Sequence, residues 1–79
     1  MYLTPAEYVY FVFGGISETA RIVGRHPSAV GRWNKPRENR GSNGYIPTTM
    51  QRKIIKIAFE RGLDITPRDL LFGREVSEQ

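Results

Sequence analysis

Residues 16–35 read ISETARIVGRHPSAVGRWNK, and the fold turns on how this stretch is divided. Ala20 and Val23 fall on one face of a first short segment, predicted as a helix over 17–23 with Ile16 also inward. Gly24 follows where the chain must turn sharply, and glycine adopts the left-handed backbone that such a corner needs. A second helix starts near His26-Pro27 and stops before Pro36, because the residue before a proline is steered away from helical backbone. Val30 and Trp33 point inward from it, and His26 takes the capping position. Ser28, Ala29, Gly31, Arg32 and Lys35 are left on the outer face. Two short helices locked at a tight corner, with a small and cationic outer face, form a unit shaped to enter a groove.

Upstream, Thr4-Pro5-Ala6-Glu7 carries the chemistry of a helix start: a Thr cap, a proline where no amide is needed, and a Glu reaching back. The run from Tyr8 to Phe13 also has strand propensity, but the cap before it and Gly14-Gly15 after it favour a helix to Phe13. Val9, Val12 and Phe13 then join the core, and part of the Tyr8, Tyr10 and Phe11 aromatic surface needs cover, with a plain core role favoured over a dimer contact. Downstream, residues 34–45 (NKPRENRGSNGY) lack apolar periodicity and read as a flexible basic loop, poorly ordered without a ligand. Two readings stand for it: Arg37 and Arg40 trail along a phosphate backbone, or Asn43-Gly44 turns a small wing. A fourth helix runs from Pro47 to about Arg61 with Met50, Ile54, Ile55, Ile57, Ala58 and Phe59 as its apolar stripe. Thr66-Pro67-Arg68-Asp69 caps a fifth containing Leu70, Leu71 and Phe72, which serve as core cover or as a self-association patch. The expected organisation is one all-α, compact five-helix domain over residues 1–72 and a polar, frayed tail over 73–79.

Charge is segregated along this pattern. Between Arg21 and Lys56 lie nine basic residues against one acid, a net +8, and the remainder of the chain carries a net −4. A polyanion-facing surface with a repelled reverse side has this polarity. Catalysis is not indicated: the single His has no Cys to serve, there is no phosphate-binding Gly-Lys-Ser/Thr loop, and no carboxylate pair sits on an apolar pocket. The absence of cysteine excludes disulfides and thiolate metal sites, a single His cannot build a zinc site alone, and no cofactor or small-molecule substrate is expected. The longest apolar run is six residues, far below the roughly 20 that cross a bilayer, and no export signal precedes it. A soluble, intracellular protein without membrane partners is expected.

Ala20, Gly24 and Val30 reproduce the spacing of a small residue, a turn glycine four later and a valine six beyond that. The chain thereby resembles the helix-turn-helix repressors of temperate phages, the Cro and lambda-repressor-like group. It carries Arg25 and Pro27 where that group commonly has an apolar residue and then Ser or Gln. The resemblance implies a lambda-repressor-like fold with a central helix-turn-helix, repression by a homodimer, its own transcription unit being one candidate target, and the cytoplasm of a bacterial or phage-infected cell. Sequence-specific binding of double-stranded DNA is the expected function, on an inverted-repeat operator with half-site centres about 34 Å apart. Expected base contacts are Ser28, Ala29 against a thymine methyl, and Arg32 to guanine O6 and N7. Expected phosphate contacts are Ser17 at a helix start, Arg21, Arg25, His26, Lys35, Arg37 and Arg40. His26 is read equally as a phosphate donor or as a plain end to the turn. Two other classes fit the same residues: an antitoxin-like protein-interaction module, and an RNA-binding or nonspecific architectural protein.

Overall fold

In a computed structural model that describes residues 1–77, Thr4 and Thr66 open two of the five α-helices among the described residues by the same chemistry. Each threonine hydroxyl accepts from the backbone N–H three residues on, and Glu7 or Asp69 accepts from the threonine N–H in return. These reciprocal bonds satisfy amides that a helix start otherwise leaves open. They begin α1 (Pro5–Phe13) and α5 (Pro67–Phe72). Between them run α2 (Ile16–Val23), α3 (Pro27–Gly31), continued by a 3-10 turn at Arg32–Asn34, and α4 (Thr48–Arg61). No helix of the described residues is long and apolar enough to cross a membrane.

Gly24 ends α2 with φ 75°, its N–H donating to the Ala20 carbonyl at 2.9 Å, and α3 then packs back on α2. A side chain there would force the left-handed conformation on an L-residue at a cost of about 1 kcal/mol. Val9, Val23, Val30 and Ile54 are fully buried, one each from α1, α2, α3 and α4. Removing such a side chain from water stabilises the fold by roughly 1.5–3 kcal/mol, so these four tie the helices into one core. Ala6, Ala20 and Ala58 provide the close approaches, and Trp33 and Met50 are buried beside them.

Tyr8 takes the core role: α1 packs on α5, the Tyr8 hydroxyl donates to the Asp64 carbonyl at 2.6 Å, and Arg74 lies over its ring at 4.7 Å. Other expectations need correction. Ile16 is not inward but 41 % exposed at the start of α2, and Thr19 is buried instead, its hydroxyl satisfied by the Gly15 carbonyl. Phe59 leaves the apolar stripe and is 88 % exposed. The core face of α4 follows Met50, Ile54 and Ala58 at four-residue intervals, and Phe59 lies a further 100° around the helix. In α5, Leu70 is core, whereas Leu71 and Phe72 are exposed.

The purely α-helical class is also corrected, together with the frayed tail. Residues Arg74–Glu75 form β2, paired antiparallel with β1 (Tyr2–Leu3), with Tyr2 opposite Glu75 and Leu3 opposite Arg74. Val76 donates to the Met1 carbonyl and is partly buried, so the folded unit extends past residue 72. Residues 78 and 79, the end of the expected tail, lie outside the described residues. The molecule is thus mostly helical with a small strand pair joining its two ends.

Residues 34–45 do not form a loose loop. A 3-10 turn spans Arg37–Asn39, and the amides of Ser42, Asn43 and Gly44 donate to the carbonyls of Arg32, Lys35 and Trp33. The Arg32 carbonyl also takes the Lys35 N–H that closes the 3-10 turn, and the Trp33 and Lys35 carbonyls lie at the open end of the stretch, which explains why a polar segment settles there. Gly44, with φ 89°, lies so close to α1 that a Cβ would stand 2.7 Å from Thr4 Cβ. Asn43-Gly44 makes a turn, but no hairpin wing exists among the described residues.

Candidate nucleic-acid interface

The helix pair supplies the frame of the site. His26 caps α3 by accepting the Ser28 N–H at Nδ1 (3.2 Å), with the Ser28 hydroxyl 2.8 Å from the same nitrogen. Nδ1 is therefore occupied, and Nε2 is the atom left to meet a ligand. Beneath α3, Tyr10 donates its hydroxyl to the Val30 carbonyl and stacks on Trp33 with centroids 6.4 Å apart. Burial pushes the Tyr10 phenol up to about 12, partly offset by a hydrogen bond with the Asn34 backbone. Asn34 in turn donates to Glu7 Oε2 and receives the Thr4 hydroxyl, which pins the end of the α3 stretch to the start of α1.

Above this support, Arg25 from the turn, Ala29 and Arg32 from the α3 stretch and Arg40 from the loop line one concavity of about 280 Å³. Trp33 and Met50 contribute apolar wall, and Ser42 and Thr49 contribute hydroxyls. No carboxylate lines it. Among the described residues, Arg25, Arg32, Lys35, Arg37 and Arg40 make no ion pair. Arg40 has φ 62°, a left-handed conformation uncommon for a residue with a Cβ.

Other expected contacts stand apart from this concavity. Ser17, His26, Ser28, Lys35 and Arg37 are exposed but do not line it. Arg21 is engaged: its guanidinium donates to Glu18 at 2.6 Å on the same face of α2. That hydrogen bond and the Arg21 charge hold the Glu18 carboxyl below its usual range, which places a negative charge near Ser17. A phosphate approaching the start of α2 would meet that carboxylate. Gly31 also leaves the expected outer face, since a Cβ on it would point to Ile16 Cγ2 at 3.8 Å.

Ser42 and Thr49 carry no signal that the sequence reading used, and Met50, read there as part of the α4 apolar stripe, also walls the concavity. The signal available for Thr49 was Pro47 followed by two threonines, a helix start whose hydroxyls and open amides face whatever lies before it. A larger groove of about 410 Å³ runs between α4 and α5, lined by Ile55, Pro67, Leu70 and Leu71 with Arg52 and Lys56 at its edge. It is apolar and holds no group of acid–base or ligating residues. No cluster of three or more His, Asp or Glu side chains able to hold a metal occurs among the described residues. No family model, curated protein or solved structure matches this chain.

Proposed function

We propose that the chain is a sequence-specific double-stranded DNA-binding regulator of transcription, built on a lambda-repressor-like helix-turn-helix and acting as a homodimeric repressor. The observation that carries this reading is the cationic surface left without internal partners around α3: Arg25, Arg32, Lys35, Arg37 and Arg40 make no ion pair among the described residues. Unpaired cations on one face attract a polyanion and supply the sequence-independent part of its binding. Ser28 and Ala29, on the outer surface of a helix propped by Tyr10 and Trp33, supply short side chains that let the helix approach base edges. The exposed apolar residues of α4 and α5, Phe59, Leu71 and Phe72, provide surface for self-association.

Selection of bound duplexes from a random pool tests the reading. An enriched inverted repeat with half-site centres about 34 Å apart is expected. Absence of enrichment, with equal retention of structured RNA, would overturn it. The same exposed apolar residues favour a second reading, an antitoxin-like interaction module, for which co-purification of a neighbouring gene's product is the distinguishing result.

A further inference from the structure

We propose that Arg25, Arg32 and Arg40 together form a seat for a single phosphate group, so that Arg32 grips the anion and does not read a base. The proposal deepens the nucleic-acid reading, on which it rests only for the source of the phosphate. Three elements that are separate in sequence bring these arginines to the lining of one concavity of about 280 Å³: the turn after Gly24, the end of the α3 stretch and the loop at residue 40. The hydroxyls of Ser42 and Thr49 add neutral donors, and no acid lines the space to neutralise it. Like charges converging on a recess with apolar walls concentrate positive potential there, and a guanidinium donates paired hydrogen bonds that match phosphate oxygens.

Arg40 gives the independent mark of design. Its left-handed backbone is fixed by a closed loop, in which its own N–H donates to the Arg37 carbonyl, the Gly41 N–H to the Pro36 carbonyl and the Arg37 N–H to Asn43 Oδ1. Glycine would adopt φ 62° without strain, yet an arginine stands there, on the lining of the recess. Strained backbone under a functional side chain is a recurrent sign of a binding site.

The test follows the arginine Nε–H resonances during titration with inorganic phosphate against chloride of equal ionic strength. Arg25, Arg32 and Arg40 should shift together and saturate at one equivalent, while Arg52 and Arg68 stay put. Arg40→Gly should abolish saturation at the other two and weaken a selected duplex about tenfold, without lowering Tm. Uniform drift of all exposed arginines, or an Arg40→Gly protein that still saturates, would overturn the seat. Saturation by phosphate that no duplex displaces would keep the seat, assign it to a free phosphate and sink the nucleic-acid reading alone.

Discussion

Arg74 and Arg32 bear the same guanidinium, but the molecule consumes one and leaves the other open. Arg74 donates from Nε and Nη2 to the two carboxylate oxygens of Asp69 (2.8 and 2.7 Å) and from Nη1 to Asp64 (2.6 Å), and it covers the Tyr8 ring. Asp69 is only 4 % exposed. Burial alone would push its carboxyl up, but the bonds from Arg74 and Thr66 outweigh that and hold it below the ordinary 3.8. Arg32, with Arg25 and Arg40, has no such partner among the described residues. One end of the molecule uses charge to close the fold, and the other holds charge in reserve for something outside it.

The largest expected effect breaks the closed end. Arg74→Ala leaves a buried carboxylate uncompensated and should cost about 3 kcal/mol in urea unfolding, a large share of what so small a domain possesses. Duplex affinity per folded molecule should not change. Acid dependence sharpens the point: the Asp64 and Asp69 values are lowered in the folded protein, so their stabilisation is complete above about pH 4 and is lost as pH falls through the lowered values. Unfolding of Arg74→Ala should lack that acid-dependent part. A variant that loses duplex binding while keeping full stability would erase the distinction between the two ends.

Arg32→Ala is the converse experiment. Stability should move by no more than about 0.5 kcal/mol, because the side chain is exposed and unpaired. Binding should weaken by about 1.5 kcal/mol on selected and scrambled duplexes alike, with a shallower salt dependence. Loss confined to the selected duplex would return Arg32 to base reading and dissolve the phosphate seat.

Tyr10 joins the two ends, since it rises from α1 to hold the Val30 carbonyl in α3, just before the 3-10 turn that carries Arg32. Tyr10→Phe removes the bonds of the hydroxyl to the Val30 carbonyl and the Asn34 backbone and should cost about 1–2 kcal/mol near neutrality. With the phenol raised to about 12 by burial, the folded state favours the neutral form; its stabilisation is present below pH 10 and is lost as pH rises through 12. Urea midpoints between pH 8 and 11.5 should therefore fall less steeply for Tyr10→Phe than for the parent. Parallel profiles would mean that the hydroxyl is not held in the fold.

What was legible in the sequence divides along the line between local and nonlocal causes. The Thr-Pro-x-acid starts of α1 and α5 and the corner at Gly24 depend on residues within a turn of one another, and all were readable. The cover of Tyr8 was not legible, because Asp64 and Arg74 arrive from the far end of the chain. The strand pair joins residues more than seventy positions apart and leaves no periodic trace in two-residue strands. For the site, the identity of the cations was evident from charge alone. Their grouping was not, because it depends on a left-handed Arg40 and on a polar loop that returns to three carbonyls of the preceding helix stretch.

The smallest effect asks whether the open end is rigid before it meets a ligand. Gly31 closes α3 with φ −62° and ψ −29°, ordinary right-handed helical values, so its glycine is not required by the backbone. An added Cβ would meet Ile16 Cγ2 at 3.8 Å, a normal contact on the side facing α2 and away from the Arg25–Arg32–Arg40 concavity. Gly31→Ala should therefore stabilise the protein by about 0.5–1 kcal/mol, since it removes unfolded-state freedom and adds apolar contact. If α3 is already held by Tyr10, Trp33 and the returning loop, duplex affinity should be unchanged. A gain in affinity alongside stability would show that part of α3 orders only on binding, and that the open end contributes less to its own support than its hydrogen bonds suggest.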